Sequence, residues 1–374
     1  MKKIITDLRI RNTIAIIFPV IHKQGLICLS YTLIYLLFIN ISLAQSRPDQ
    51  LSLKDRILPV SEKHFFKTEG YYNWCPSMIK TKDGLYHLFY SAWKKEYGFG
   101  GWLTRCEIAH ATSRQATGPW TIVGTVLKGA GKGHWDAITA HNPKIKYFEG
   151  KYYLYYISTN LGDKDYTETE LTQTGQTFYS HPNWAILRKN QRTGVAVSDN
   201  INGPYKRMDQ PLIEPSGPIT TLTVNPAITQ GKNGKYFLIV KGDKPNETRF
   251  IRNQAIAIGD HPSGPFTIQP KPVIDYIDTE DMSMWYDKKR DYYYGVFHST
   301  SGFIGLVSSP DGLNWYKAKD YNLMPKQLLM ASGGIQKYDR IERPFIYTEN
   351  GEPKVLSLAL KKGDDSFIVF IPLV

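Results

Sequence analysis

The 374 residues carry 46 Lys and Arg against 34 Asp and Glu, a formal charge of +12, and 13% of them are aromatic, including 25 tyrosines. No stretch has low-complexity composition. The basic residues are scattered and form no recognised binding motif, which excludes nucleic acid as a partner; the length allows one large domain or two.

In chain order, the first feature is a basic segment (Lys2, Lys3, Arg9, Arg11, Lys23) followed by an almost unbroken apolar run, Leu26 to Ala44. It ends Ser42-Leu43-Ala44 before Gln45, a small-x-small cleavage pattern, so residues 1–44 read as an export signal cut near Ala44. The expected location is periplasmic or secreted, with no membrane insertion after cleavage. The run is also long enough for an uncleaved anchor. Cys28 begins the run instead of following it, so no lipid-attachment cysteine is in place. Removing the five basic residues and Asp7 of this segment lowers the formal charge from +12 to +8, which suits an anionic substrate or plain solubility. Residues 45–61 read as a linker.

From residue 62 a pattern returns five times: CPSMIKTKDGLYHLFYSAW, NPKIKYFEGKYYLYYIS, NPAITQGKNGKYFLIVKGD, DMSMWYDKKRDYYYGVFHS and RPFIYTENGEPKVLSLAL. Each copy alternates apolar positions, turns at an Asp-Gly, Glu-Gly or Asn-Gly type step and returns as an aromatic strand, which is a hairpin signal. The opening residues are Cys75, Asn142, Asn225, Asp281 and Arg343. In four copies a third strand, a Ser/Asp/Gly turn, a Gly-Pro-aromatic step (Leu-Asn-Trp in the fourth) and a fourth strand follow. No helical periodicity of any length is evident. The fifth copy lacks a fourth strand, and 62–68 is the segment expected to supply it and close the ring.

The second copy carries an insertion, 159–192, expected to form a lid or rim; a smaller insertion spans 94–105. Cys75 and Cys106 fall on the first and third strands of one meander. Two inter-strand spacings, roughly 9–10 Å, exceed disulfide reach, so two free, buried thiols are expected. No Cys/His spacing suggests a metal.

The openers, hairpins and Gly-Pro-aromatic strands together resemble the five-bladed propeller sugar enzymes, glycoside hydrolase families 43 and 117 and the related fructan hydrolases, over nearly all of residues 62–374. The resemblance implies an all-β fold: a five-bladed β-propeller of four-stranded antiparallel blades. In the family 43 type, acidic openers on the first two blades and a third acid on the next act as base, pKa-tuner and acid. Here those openers are Cys75, Asn142 and Asn225, and none can act as a carboxyl does near neutral pH.

In a four-stranded meander the start of strand 1, the end of strand 2 and the start of strand 3 share one end of the blade. That mouth gathers His141, Asn142, Asn225, Glu280, Asp281, Glu342 and Arg343, with Trp93, Lys241 and His298 from second strands and Arg105, Glu107, His110, Arg192 and Arg252 from third strands. Such a set can hold a carboxylate and move a proton. His141, His298 and His110 are the candidate proton carriers. The candidate substrate ligands are Asn142, Asn225, Arg343, Lys241, Asp281, Asp136, Glu107, Arg192 and Trp93. Each has a structural alternative: a capping Asn, a packed His, an ion-paired Arg343, or a core Trp (Trp74, Trp102, Trp135 and Trp285 included).

The chemistry that fits is β-elimination on a uronic acid. The pattern is most similar to the propeller oligosaccharide dehydratases of marine polysaccharide use, which act on ulvan fragments. That resemblance implies loss of water from the non-reducing-end uronate of an anionic oligosaccharide by a monomeric enzyme without a cofactor, a structural cation on the axis staying open. The alternative is an exo-acting glycoside hydrolase using displaced carboxylates Asp136 and Asp281, and the third reading is a non-catalytic sugar-binding propeller.

Overall fold

The structure is a computed structural model describing residues 51–374; the expected export signal lies outside the described residues. Five four-stranded antiparallel sheets follow one another. Blade 1 comprises Tyr71–Lys80, Tyr86–Lys94, Glu107–Ser113 and Thr121–Leu127; blade 2, His141–Phe148, Lys151–Ser158, Arg192–Ser198 and Lys206–Arg207. Blade 3 comprises Thr220–Gln230, Tyr236–Asp243, Arg252–Gly259 and Thr267–Ile274; blade 4, Thr279–Asp287, Tyr292–Ser299, Phe303–Ser309 and Tyr316–Pro325. Blade 5 takes Arg340–Glu349, Glu352–Lys362 and Asp365–Pro372 from the C-terminus, and its fourth strand is Phe65–Phe66. Phe65 pairs with Val369 and Phe66 with Ile368, so the ring closes as expected, and each first strand touches those of its two neighbours around the axis.

Each sheet is buried on both faces, because alternate residues of a strand point to opposite neighbours. On the second strand of blade 1, Leu88 and Tyr90 pack against Phe345, Ile368 and Phe370 of blade 5. Phe89 between them packs toward Ile145, Leu154 and Tyr156 of blade 2. Equivalent clusters fill the remaining clefts. The described part of the expected linker is packed, not free. Leu51 and Leu53 are wholly buried against blades 4 and 5, the Leu53 and Lys54 amides donate to Asp320 at 2.6 and 2.9 Å, and Ile57 and Val60 bridge to Leu373 and Met330.

The insertion in blade 2 departs from the all-strand expectation. It folds two helices, α1 (Glu168–Thr177) and α2 (Pro182–Lys189). A reciprocal capping box between Thr167 and Glu170 starts α1, and Pro182 sits in the first turn of α2. Helix α1 lies tight on the 98–101 segment: a Cβ on Gly100 would come within 2.3 Å of the Gly175 carbonyl oxygen, and one on Gly175 within 2.7 Å of the Tyr97 carbonyl oxygen. Gly175→Ala should therefore lift the helix pair, costing about 1–3 kcal/mol, with limited proteolysis within 160–191 as the readout and the five sheets intact by circular dichroism.

Candidate active site

Each first strand slips register at a corresponding place, between Trp74 and Ser77, His141 and Lys144, Val224 and Ala227, Glu280 and Ser283, and Glu342 and Phe345; blades 3 and 5 carry a second slip, between Thr220 and Val224 and between Tyr347 and Thr348. The five corresponding slips each contain an opener, and every opener has positive φ: Cys75 53°, Asn142 52°, Asn225 54°, Asp281 62° and Arg343 57°. Asn and Asp tolerate this region; Cys and Arg adopt it at a cost. The repeated bulge re-aims each opener, and the five side chains meet. The Cys75 thiol donates to Asn142 Oδ1 (2.6 Å), Asn142 Nδ2 to Asn225 Oδ1 (2.7 Å) and Asn225 Nδ2 to Asp281 Oδ1 (2.7 Å). Arg343 Nη1 closes the group, donating to Asn225 Oδ1 (2.9 Å) and to Asp281 Oδ1.

Above this floor opens a cavity of about 180 Å³, below the roughly 300–1,000 Å³ of pockets that take drug-sized ligands, which suits one ring at a chain end. Trp74, Trp93 and Phe99 wall it on the blade 1 side, with Phe178, Tyr179 and Trp184 from the helical insertion. The insertion is thus the expected lid. Arg105 ties α1 to blade 1 through Glu168 and Thr172. Arg188 ties α2 to blade 3 through a two-pronged pair with Asp243 (2.6 and 2.9 Å) and lies 3.6 Å from the centre of the Phe250 ring.

Five cations (Arg188, Lys241, Arg252, Arg340, Arg343) and two acids (Glu280, Glu342) line the cavity. The acids are engaged: Glu280 with Lys241 (2.9 Å) and Arg252 (2.8 Å), Glu342 with Arg340 (3.3 Å). Burial alone would raise the Glu280 pKa; Lys241, Arg252 and Arg343 overturn that and hold it well below the usual carboxylate range. At Asp281 burial is likewise outweighed, by Arg343 and the His298 hydrogen bond, so this carboxyl is also held low. A net cationic cup remains, with Glu280 held ionised.

The two leading histidines differ in surroundings. His141 is 1% exposed, lines the cavity, packs against Trp102 at 5.4 Å, and has no hydrogen-bond partner on either ring nitrogen. Burial pulls its pKa down to about 3, against a smaller raising influence from Asn142, so it is a neutral imidazole. His298 lies behind the floor, its Nδ1 3.3 Å from Asp281 Oδ2 and its Nε2 2.6 Å from Lys326 Nζ. An ammonium can only donate, so Nε2 accepts and Nδ1–H faces Asp281. His298 therefore orients Asp281 and does not face the cavity. Asp281, His298 and Glu342 present donor atoms within 4.8 Å of one another, but Lys326 and Arg343 already place fixed positive charge against His298 and Asp281. A cation fits poorly there.

The structure brings Asn142, Asn225, Asp281, Arg343, Lys241, Trp93 and His141 together and corrects four other expectations. His110 is wholly buried between blades, stacked on Phe89 (4.7 Å) and bonded to His87 (2.9 Å), with burial lowering its pKa to about 4; it is a core residue. Asp136 is fixed by Tyr156 (2.7 Å) and Arg207 (2.8 Å) away from the cavity. Glu107 accepts from Thr125 (2.7 Å), and Arg192 is spent on Glu214 and three carbonyls. Glu107 and Arg192 begin their strands at the expected end of the blade but are turned away from the cavity, His110 lies in mid-strand and Asp136 in the turn before blade 2. Sequence reasoning missed Arg188, Arg340 and Lys326. Cys75 and Cys106 are free and buried, but Cys75 belongs to the floor.

These pKa directions fix an acid response. Stability from Glu280 and Asp281 is fully present above the ordinary values of 4.5 and 3.8 and is lost as pH falls through the depressed folded ones. His141 and His110, held neutral, begin to cost stability below 6.5. The thermal midpoint should fall below about pH 6.5 and fall faster below 4.5, and Glu280→Gln should flatten the lower part in calorimetry.

No protein-family model matches the sequence and no curated protein matches it. Solved structures do. A family 117 glycoside hydrolase of the marine bacterium Zobellia galactanivorans superposes with a TM-score of 0.55 at 17% identity, over 87% of this chain and 88% of that one. The fold is that of these propeller hydrolases. An endo-arabinase from Bacteroides thetaiotaomicron gives a TM-score of 0.52 at 14% identity, over 87% and 98% of the two chains. A family 43 β-xylosidase/α-arabinofuranosidase from a compost metagenome, in complex with xylotriose, gives 0.53 at 16%, over 85% and 96%. At such identities the likeness to the propeller hydrolases is one of architecture.

Proposed function

We propose that this chain is a carbohydrate-active enzyme that takes the non-reducing end of an anionic, ulvan-like oligosaccharide and eliminates water across C4 and C5 of its terminal uronate. The observation that carries this is the cup itself: five cations against two ion-paired acids, beside a buried neutral imidazole with no partner. Guanidinium and amide groups on the sugar carboxylate stabilise the charge that builds as the C5 proton leaves. His141 takes that proton; an incoming carboxylate offsets the burial that depresses its basicity. Lys241, on the neighbouring blade, protonates the departing C4 oxygen. The product is a 4,5-unsaturated uronate and water. The reading includes an exported monomer with the segment before Gln45 removed.

A second reading, exo-acting hydrolysis, draws support from the structural neighbours, which are named as hydrolases. Of the two carboxylates expected for it, Asp136 lies elsewhere and Asp281 is taken up by Arg343, Asn225 and His298, so its acids would be Glu280 and Glu342. Against it, Glu280 is held ionised, and a general acid needs a raised pKa. Incubation with uronate-ended oligosaccharides separates the cases. The ultraviolet absorbance of a conjugated double bond, with loss of one water by mass, supports elimination. Monosaccharide released without that absorbance supports hydrolysis, and unchanged sugar supports a binding role.

A further inference from the structure

Beneath the floor the axis holds a cation that no hydrogen bond or ion pair engages. Lys144, two residues past Asn142, is 8% exposed and reaches a void lined also by Cys75, Asn142, Asn225, Asp281 and Arg343. Its ammonium has no hydrogen bond and no ion pair within salt-bridge distance; it stands 5.7 Å from the centre of the Phe345 ring, with Asp281 the one carboxylate sharing its void. The Nε of Arg343 is also buried without a partner. Lys146, two residues on and directed to the same side by the strand period, adds a third cation, half-buried. The single carboxylate among them, Asp281, already takes Arg343, Asn225 and His298.

A buried ammonium without acceptor or counter-charge is costly, and native structures meet such groups with a water or an ion. The void measures about 10 Å³, the space of roughly one water-sized probe. That size excludes sulfate, phosphate and a sugar carboxylate, and a lining of two cations, Lys144 and Arg343, to one acid, Asp281, with Lys146 further along the strand, calls for a negative occupant. We propose that this axial void binds one small monovalent anion, chloride in ordinary salt, held by Lys144 Nζ and Arg343 Nε as an internal counter-ion to the opener ring. It lies under the floor and is separate from the sugar cavity, so it stands whether the sugar chemistry is elimination or hydrolysis.

The test uses the full chain. Thermal midpoints are compared at pH 7 in sodium chloride, sodium bromide and sodium gluconate at equal ionic strength, and crystals soaked in bromide are examined for an anomalous peak. The expected result is a saturable rise of about 2–4 °C in either halide over gluconate, with the bromide peak between Lys144 and Arg343. Lys144→Met should abolish the halide difference and Lys146→Met should keep a saturable one. If Lys144→Met fails to fold, the bromide peak in the unaltered protein still decides. Equal midpoints in all three salts, or a halide effect with no peak in the void, would overturn the proposal in favour of a water and a neutral lysine.

Discussion

Replacing Arg343 by methionine is expected to remove activity and cost up to about 3–5 kcal/mol of stability, the range for stripping one partner from a buried pair. The lower end applies, because the guanidinium side chain keeps 18% exposure while Asp281 keeps 2%. One nitrogen of Arg343 serves both Asn225 and Asp281, so its loss strands a buried carboxylate and loosens an amide together. Loss of the group facing the sugar carboxylate adds a factor of about 10²–10³ in rate. Arg343→Lys keeps the charge but loses the planar fork; it should recover most of the midpoint and little of the rate. If Arg343→Met turned over substrate normally, the floor would have no part in the reaction.

The second large effect is at His141, with the opposite stability sign. His141→Leu should cut the rate by about 10²–10⁴, the usual worth of a general base, while leaving the fold as stable or more so. The imidazole makes no hydrogen bond to lose, and an apolar side chain relieves two unsatisfied buried nitrogens. The acid limb of the stability curve should flatten, since one neutral buried histidine no longer has to charge. An unchanged rate would sink His141 as proton carrier and leave it a wall of the cavity.

The architecture was legible because its signals are local and repeated: turn dipeptides, two-residue alternation and a spare segment for the open blade. Glu149-Gly150 and Asn350-Gly351 do turn with both residues at positive φ. The openers were legible for the same reason, since five copies of one position must share one place on a ring. Glu107 and Arg192 were not, because end-of-strand position says how high a residue sits and not which way it faces; nor were His110, which lies in mid-strand, and Asp136, which lies in a turn. In a sheet buried on both sides both faces read as apolar, so the alternation that usually separates inside from outside is mute. The helices were too short for periodicity to reveal, although the Thr167-x-x-Glu170 capping box stood in the sequence. Arg188 and Lys326 join the site only through tertiary placement of an insertion and a strand end.

The floor has a sense of circulation. Thiol and amide donors all point the same way round, from Cys75 through Asn142 and Asn225 to Asp281. Two groups set that sense: Asp281, which can only accept, and Arg343, which can only donate and holds Asn225 Oδ1 at 2.9 Å. With both the carboxylate and the guanidinium removed, the amides could run either way round, showing a sugar a mixture of N–H and C=O faces. A scaffold of five near-equal blades thus meets a chiral ligand with a single polarity, and that polarity rests on one oppositely charged pair, Asp281 and Arg343.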